Sequence, residues 1–177
     1  MEKKIAKNKK TEEKIAIISD SHDNLEKVKK LTEFLNKENI KILIHCGDVS
    51  KVETIKAILN NFKGKIYLSF GNAEINKEEF LKLSKENKRL KVFNEFGELK
   101  IKNKKIAFCH FYDLALKLAK SKKYNFVFYG HTHKPWEEKI ENTKLINPGN
   151  LAGQFYPASF AIYDFNKNIF SLKILLP

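Results

Sequence analysis

Short apolar runs alternate with segments of helical periodicity along the first half of the chain. The runs Lys14–Ser19, Ile42–His45 and Ile66–Phe70 have the length and continuous apolar character of buried strands. Between them, apolar residues recur at three- and four-residue spacing over residues 25–35 and 52–59, which predicts two helices. Strands that alternate with helices in this way pair in parallel and are joined by right-handed crossovers. The sequence therefore predicts a parallel sheet for the first half of the fold.

The second half of the chain has shorter apolar runs and more turn residues. A third helix is predicted at about residues 77–86, and beyond it Gly97 and Asn103-Lys104 separate short strands. From Trp136 onward the runs follow one another closely, as in antiparallel hairpins. We therefore predict two mixed sheets packed face to face with helices outside, without an internal repeat or an interdomain linker. The predicted elements are strands at Lys91–Phe93, Glu98–Ile101, Lys105–Cys109 and Phe126–Tyr129, a helix at about 113–122, and the hairpins Trp136–Ile140 with Lys144–Ile146 and Ala158–Phe165 with Ile169–Leu175.

Length and composition predict one domain preceded by a loose arm. Residues 1–12 contain five lysines and little apolar content, so we interpret them as an arm and residues 13–177 as a single domain. The chain contains no run of about 20 apolar residues and no apolar signal core. These features predict a cytoplasmic protein with no membrane partner. Cys46 and Cys109 lie inside apolar runs and are predicted to be buried free thiols.

The net charge of +13 raises the question of a nucleic-acid partner. Arg89 is the only arginine, and the lysines are spread over predicted helices and loops. Because arginine is the residue favoured for bidentate phosphate and base contacts, a solvated lysine surface is the better interpretation. The charge could still raise the association rate of an anionic substrate. The sequence leaves the formation of a homo-oligomer open.

Polar side chains follow the apolar runs, at the points where strands end. Singly, each of them has an ordinary interpretation, because aspartate and asparagine cap helices and form turns. Together they place oxygen and imidazole donors at one edge of a sheet, where open α/β sheets bind ligands. This mixture suits Mn, Fe, Co, Ni or Zn better than Ca or Mg, and it predicts a two-metal hydrolytic centre. The candidate metal ligands are Asp20, His22, Asp48, Asn72, His110, His131 and His133.

The order of these motifs resembles that of the calcineurin-like metallophosphoesterases. Within that family the chain is similar to the small single-domain phosphodiesterases of archaea and bacteria, over essentially residues 14–175. The resemblance implies a four-layer α/β/β/α sandwich and a metal-dependent phosphodiesterase. The motifs are Asp20–Asn24 (DSHDN), Gly47-Asp48, Gly71-Asn72, His110, Gly130–His133 (GHTH) and the turn Asn147–Gly149.

The resemblance also implies how two divalent ions are held. Asp20, His22 and His133 would bind the first ion, whereas Asn72, His110 and His131 would bind the second. Asp48 would bridge the two ions. A hydroxide shared by two cations about 3.5–4 Å apart would then attack the phosphorus of a small phosphodiester or an activated phosphate ester in line.

Two positions depart from the family pattern. Larger relatives follow Gly-Asn with a histidine that can protonate the leaving group, whereas this chain has Ala73-Glu74. No catalytic acid is therefore assigned, and Glu74 is either a substitute acid or a supporting carboxylate. Phe111 and Tyr112 follow His110 where relatives have glycine and a polar residue. These aromatic rings either narrow the cleft, which would favour a flat aryl or base group, or pack in the core.

Two other functions remain as alternatives to the phosphodiesterase. One is a protein-binding scaffold on the same fold, like the retromer subunit of this type, which has lost metal ligands. The other is a nuclease in which lysines of residues 3–10 hold phosphates, which would make binding strongly dependent on salt. The substrate, the metal used in the cell and any substitute for the missing acid are not determined by the sequence.

Overall fold

The computed structural model describes residues 13–176 and contains four helices and eleven strands within that range. The predicted arm at residues 1–12 lies outside the described residues, so the division into an arm and one domain stays a prediction. The strands are β1 (Lys14–Ile18), β2 (Ile42–His45), β3 (Lys65–Ser69), β4 (Leu90–Phe93), β5 (Phe96–Ile101), β6 (Lys104–Cys109), β7 (Phe126–Phe128), β8 (Trp136–Ile140), β9 (Thr143–Asn147), β10 (Ser159–Asp164) and β11 (Ile169–Ile174). The helices are α1 (Leu25–Lys37), α2 (Val52–Asn61), α3 (Lys77–Glu86) and α4 (Tyr112–Lys120).

The first sheet has six strands in the order β11-β10-β1-β2-β3-β4. Strands β1 to β4 are parallel, as the alternation of strands and helices predicts. The last hairpin completes this sheet, because β10 pairs antiparallel with β1 and β11 with β10. The first strand of the fold therefore lies next to the last hairpin.

The second sheet has five strands in the order β5-β6-β7-β9-β8. Its three central strands are parallel, and an antiparallel strand lies at each edge. Both sheets are thus mixed, as the sequence predicts.

Three apolar clusters separate four layers. Alternate residues of β1 illustrate the arrangement: Ala16 and Ile18 pack toward α1 and α2, whereas Ile15 and Ile17 pack between the two sheets. Ala115 and Ala119 of α4 pack on the outer face of the second sheet. The order helices, sheet, sheet, helix confirms the predicted α/β/β/α sandwich. Strands β1 to β3 are covered by helices on one face and by the second sheet on the other, and for this reason their sequences are nearly continuous apolar runs.

Parallel strands bring their carboxyl ends to the same edge of a sheet. Strands β1, β2 and β3 end together at one edge of the first sheet, and β6 and β7 end together in the second. Loops from both sheets converge there. No helix within residues 13–176 combines the length and apolar character that would be needed to cross a bilayer.

Candidate metal centre

The seven predicted ligands lie in the loops that follow five strands. Asp20 and His22 follow β1, Asp48 follows β2 and Asn72 follows β3. His110 follows β6, and the histidine pair, His131 and His133, follows β7. Six of the seven form two compact groups in which every candidate ligand atom lies within 4.8 Å of the others. These groups are Asp20, His22 and His133, and Asp48, His110 and His131.

The backbone at the site is unusual. Five of the seven predicted ligands have positive φ angles, a region in which few residues other than glycine occur, although aspartate, asparagine and histidine tolerate it best. Such conformations concentrate at ligand sites, because the surrounding structure must hold them in place. The values are 52° for Asp20, 39° for His22, 58° for Asp48, 67° for His131 and 59° for His133.

The first group converges on one carboxylate oxygen. His133 Nε2 lies 3.2 Å from Asp20 Oδ1, and His22 Nε2 lies 3.8 Å from the same atom. The two histidine Nε2 atoms are 3.4 Å apart. Asp20 Oδ1 is buried and has no hydrogen-bond partner. A buried carboxylate oxygen without a partner, facing two imidazole nitrogens, fits a transition-metal ligand.

The second group is centred on Asp48 and contacts the first. Asp48 Oδ2 lies 3.3 Å from His110 Nε2 and 3.9 Å from His22 Nε2. His131 Nδ1 lies 3.2 Å from His110 Nε2. One oxygen of Asp48 therefore lies between histidines of both groups.

Each aspartate uses one oxygen to fix its position and leaves the other for the site. Asp48 Oδ1 accepts hydrogen bonds from the backbone N–H groups of Asn72 and Ala73, both at 2.8 Å. Asp20 Oδ2 accepts one from the backbone N–H of His131 at 3.0 Å. These bonds link loops from different strands, and in the case of Asp20 they link the two sheets. The orientation of each carboxylate is therefore set before any ion binds.

Glycines allow the loops to approach this closely. A Cβ at Gly71 would overlap Asp48 Oδ1, and a Cβ at Gly130 would overlap the Ser19 hydroxyl and approach Asp20 Oδ2 to 2.6 Å. The glycines of the Gly-Asn and Gly-His motifs are thus required by space.

The orientation of His110 favours a positive charge at the centre of the second group. The carbonyl of Cys46 accepts a hydrogen bond from His110 Nδ1 at 2.8 Å, which fixes the proton of a neutral ring on that nitrogen. The lone pair of Nε2 then faces both Asp48 Oδ2 and His131 Nδ1. Nε2 of a neutral ring and Asp48 Oδ2 are both acceptors and lie 3.3 Å apart, a contact that a cation between them, or a proton on Nε2, makes favourable. Such a backbone partner on the second nitrogen is typical of metal-bound histidine.

The pKa shifts have the directions expected of a cation site. Burial raises the pKa of Asp20, but the adjacent His133 and His22 imidazoles outweigh it and hold the pKa below its usual range. Burial likewise raises the pKa of Asp48, and His110 outweighs it, so the net pKa is lowered. Both carboxylates therefore stay ionised and attract cations.

His45 is the one histidine outside the two groups. It is fully buried; its Nδ1 accepts a hydrogen bond from the Gly47 N–H at 3.2 Å, and its Nε2 lies 2.9 Å from Ser21 Oγ. Burial lowers its pKa to about 3, so the ring is neutral. His45 thus connects the loops after β1 and β2 without entering the site, as a supporting histidine would.

Glu74 connects the loops after β2 and β3. Its Oε1 accepts a hydrogen bond from the Val49 N–H at 3.1 Å and its Oε2 one from the Gly71 N–H at 2.8 Å. Because both oxygens are occupied by backbone donors, this carboxylate supports the loops and is poorly placed to protonate a leaving group. Burial raises its pKa.

The loop after β9 supports the histidine pair. Asn147 Nδ2 donates to the carbonyl of Gly130 at 2.8 Å and lies 3.0 Å from the Thr132 hydroxyl. Asn150, which is fully buried, donates to the carbonyl of His133 at 3.2 Å. Asn147, the first residue of the Asn-Pro-Gly turn, therefore supports the site. Asn150 was not predicted, although an asparagine directly after that turn is a signal that could have been used.

The remaining predictions near the site have mixed outcomes. Asn72 lies beside the second group through its backbone, but its side chain is exposed, so a role as a ligand stays a prediction. Phe111 is half-exposed, and its ring lies 4.9 Å from that of His110, which favours the cleft over core packing for this residue. Tyr112 packs against Tyr129 and hydrogen-bonds Glu138, so core packing accounts for it. Cys46 and Cys109 are buried free thiols, as predicted.

A family model for the calcineurin-like phosphoesterase superfamily domain matches residues 14–168. A phosphodiesterase of Methanocaldococcus jannaschii is 32% identical over 142 residues, which is 79% of this chain and 85% of that protein.

Solved structures have the same fold. One, of an archaeal phosphodiesterase, superposes with a TM-score of 0.84 at 30% identity, covering 92% of this chain and 99% of that chain. Vps29 of Chaetomium thermophilum superposes with a TM-score of 0.68 at 13% identity, over 92% of this chain and 95% of the other, and shares the fold. These matches confirm the resemblance and the enzyme class predicted from the motifs: the chain belongs to the calcineurin-like phosphoesterase superfamily, a metal-dependent family of hydrolases.

Proposed function

We propose that the protein is a dinuclear metal-dependent phosphodiesterase that acts on a small phosphodiester or an activated phosphate ester. The observation that carries this proposal is the pair of adjacent groups, each with one carboxylate and two imidazoles whose ligand atoms lie within 4.8 Å of one another. The phosphodiesterase of M. jannaschii, with 32% identity, supports the choice of substrate class. The cytoplasmic location stays a prediction.

The proposed ligands follow from these two groups. Asp20, His22 and His133 would hold the first ion, and His110 and His131 the second. Asp48 would contact both ions, because its Oδ2 faces His22 of one group and His110 of the other. Asn72 would be a further ligand of the second ion. Imidazole and carboxylate donors favour Mn, Ni, Fe, Co or Zn over Mg and Ca.

The ions and the residues at the site would have different roles in catalysis. Two ions held there would supply a hydroxide for in-line attack on phosphorus and positive charge for the phosphoryl oxygens. Asp20 and Asp48 neutralise part of that charge, while a neutral Asn72 leaves enough to attract an anionic diester. The backbone bonds to both carboxylates keep the set in place, so that little reorganisation accompanies the reaction.

The missing acid limits the range of substrates. Ala73 carries no ionisable group, and both oxygens of Glu74 accept backbone hydrogen bonds. General acid catalysis typically contributes about 10²–10⁴-fold, so esters with poor leaving groups should react slowly. Diesters whose leaving group needs no proton are therefore the substrates that the site favours.

Hydrolysis of bis-(p-nitrophenyl) phosphate with added Mn²⁺ or Ni²⁺ tests the proposal. Asp48→Asn and His131→Ala should each lower kcat/KM by roughly 100-fold or more, because several kcal/mol of charge stabilisation is lost. Asp113→Asn, at an exposed aspartate of α4, is the matched control and should retain activity. Inactivity of the parent with every divalent ion would refute the proposal.

Metal content separates this function from the scaffold alternative. We expect close to two equivalents of transition metal per chain in the parent after divalent supplementation, and fewer in Asp48→Asn. A folded protein that binds no metal would favour the scaffold. Competition by oligonucleotides that is strong and steeply dependent on salt would favour the nuclease instead.

A further inference from the structure

Phe155 lies at the centre of a strained three-residue turn, which the Tyr156 N–H closes by donating to the carbonyl of Gln154 at 2.7 Å. Its φ is 63°, and it is the one apolar side chain among the non-glycine residues of the described range with positive φ. For a bulky side chain this region is a real outlier. The ring is 92% exposed, so burial of apolar surface does not stabilise the conformation. Exposed apolar residues are common, but a strained one calls for an explanation.

The loop that carries Phe155 is held firmly against the candidate metal centre. Asn150 Oδ1 accepts a hydrogen bond from the Gln154 N–H at 2.7 Å, and its Nδ2 donates to the carbonyl of His133. The backbone N–H of Ala152 donates to the carbonyl of Asp20 at 3.0 Å. The loop is thus bonded to the segments that carry two ligands of the first group. The position of Phe155 is therefore set relative to the site.

An exposed aromatic ring lies against each of the two histidine groups. The Phe155 ring centroid is 5.7 Å from that of His133, in the first group. The Phe111 ring, 42% exposed, is 5.0 Å from the ring of His131 in the second group. Both phenyl rings are exposed beside the candidate metal centre. A molecule that contacts both histidine groups therefore also passes next to the two rings.

We propose that Phe155 and Phe111 are specificity-determining residues that select phosphodiesters carrying a flat aromatic group on an ester oxygen. This inference rests on the proposed phosphodiesterase function, because the two rings flank the place where the phosphate would lie. An aryl or nucleobase ring stacks on phenyl through a π face that every such group presents. An aliphatic group of equal size lacks that face. The strained conformation of Phe155 is explained as the means of holding its ring at the rim.

Two properties of the protein should change in opposite directions when Phe155 is replaced by glycine. Phe155→Gly removes the ring and also relieves the positive φ, so it should raise the melting temperature while it weakens the preference for aromatic groups. A residue with only a structural role would not separate stability from selectivity in this way. Phe111→Ala should weaken the preference without the gain in stability. Trp136→Ala is the matched control, because Trp136 is half-exposed and lies outside both groups.

Calorimetric binding of phosphinates, which have no ester bond to cleave, measures the preference without turnover. For the Mn²⁺-loaded parent and Trp136→Ala, we expect diphenylphosphinate to bind roughly 10-fold tighter than dicyclohexylphosphinate, the effect of about one stacking contact. The ratio should fall toward one in Phe155→Gly and Phe111→Ala. A second pair of ligands, thymidine 5′-monophosphate and deoxyribose 5-phosphate, differs only in the nucleobase. Their relative affinities show whether the preferred aromatic group is a nucleobase or a simple aryl ring. A preference for the nucleotide assigns a nucleobase, and a preference confined to the phenyl compound assigns a simple aryl group.

The outcome separates this inference from the proposed function. Equal binding of the aromatic and aliphatic members of both pairs, in a parent that still hydrolyses bis-(p-nitrophenyl) phosphate, overturns the aromatic preference alone. The preference is also overturned if the ratio of aromatic to aliphatic affinity is unchanged in both Phe155→Gly and Phe111→Ala. A parent that hydrolyses no diester with any divalent ion refutes the proposed function first.

Discussion

At the scale of single residues, the site depends on how each carboxylate divides its two oxygens. Asp20 and Asp48 each give one oxygen to backbone N–H groups and the other to a pair of histidines. Glu74 differs, because it gives both oxygens to backbone N–H groups. Whether one or both oxygens of a carboxylate are bonded to backbone N–H groups thus separates the candidate ligands from the supporting residue at this edge of the sheet.

Glu74→Ala should reduce both stability and metal affinity. The variant leaves two buried N–H groups without a partner, and hydrogen bonds to a charged group contribute about 1.5–3 kcal/mol each, so we expect a loss of about 3 kcal/mol in unfolding free energy. Metal affinity should fall roughly 10–100-fold, as for other residues that support metal ligands. Denaturant titration and metal titration measure the two effects.

The dependence on the leaving group decides whether Glu74 also acts as an acid. As a supporting residue, its loss should lower kcat at saturating metal by the same factor for p-nitrophenyl and phenyl esters. A loss that is much larger for the phenyl ester would assign proton transfer to Glu74 and contradict the supporting role.

His45 should make the metal-free protein less stable in acid. Its pKa is about 3 in the folded protein and about 6.5 when unfolded, so between these values the unfolded chain binds a proton that the folded chain does not. Stability therefore falls as the pH decreases. Between about pH 7 and pH 5 this single group should cost about 2 kcal/mol.

His45→Asn isolates this contribution, because the Asn Oδ1 can still accept the Gly47 N–H bond. Guanidinium titrations of parent and variant in chelator should show that the parent loses about 2 kcal/mol more than the variant on acidification. Equal pH dependence of the two proteins would mean that His45 is charged in the folded state.

At the scale of elements, α1 is tied to the loop that bears Phe155. Asn24 caps this helix, since its Oδ1 accepts the Lys27 N–H at 3.1 Å, while its Nδ2 donates to the carbonyl of Ala152 at 2.9 Å. Asparagine is a favoured capping residue, so this bond fits the local sequence. The partner of the amide nitrogen lies 128 residues away, and no local pattern could indicate it.

Asn24→Ala and Asn24→Ser separate the two bonds. Loss of the cap in Asn24→Ala should cost about 1–2 kcal/mol, and the bond to Ala152 should add about 1 kcal/mol. Asn24→Ser retains a capping oxygen and loses only the second bond, so its loss of unfolding free energy should be the smaller one. Chemical denaturation compares the two variants. A serine variant that is as unstable as the alanine variant would contradict this division.

The elements themselves could be predicted because their periodicities are local. Val28, Leu31 and Leu35 lie on the buried face of α1 as their spacing requires, and the runs at β1 to β3 are buried on both sides. The order of the strands in each sheet was harder to predict. The pairing of β1 with β10 joins residues about 150 positions apart, and no local pattern in the sequence indicates it.

The site was predicted to a similar extent and for similar reasons. His131 and His133 are marked by type and by their place after a strand, but spacing alone would put both on one face. Instead, positive φ angles at both residues direct them into different groups. Phe155 carries no signal in the sequence, because its importance depends on a backbone conformation and on Asn150.

At the scale of the whole molecule, the candidate metal centre joins the two sheets. Asp20 and Asp48 belong to loops of the first sheet, whereas His110, His131 and His133 belong to loops of the second. Ions bound there would link the two halves of the sandwich in addition to the apolar contacts between the sheets. Because they bind only the folded arrangement, they should stabilise the entire fold.

Metal should therefore raise the melting temperature of the parent strongly. At a free Mn²⁺ concentration about 100 times Kd, each site contributes about 2.7 kcal/mol, so two sites should raise the melting temperature by about 10–20 °C in a domain of this size. Chelation should abolish the increase, and Mg²⁺ should give a smaller one because imidazole suits it poorly.

Asp48→Asn tests whether one residue serves both ions. If Asp48 contacts both, this variant should lose more than half of the Mn²⁺-dependent increase, whereas His131→Ala should lose about half, because only one of the two equal site contributions is removed. Asp113→Asn should respond like the parent. Differential scanning calorimetry with and without chelator measures all four proteins. An Asp48→Asn variant that retains the full increase would show that neither ion depends on Asp48 and would contradict the bridging role, whereas Asp20, His22 and His133 would still join the two sheets through the first group.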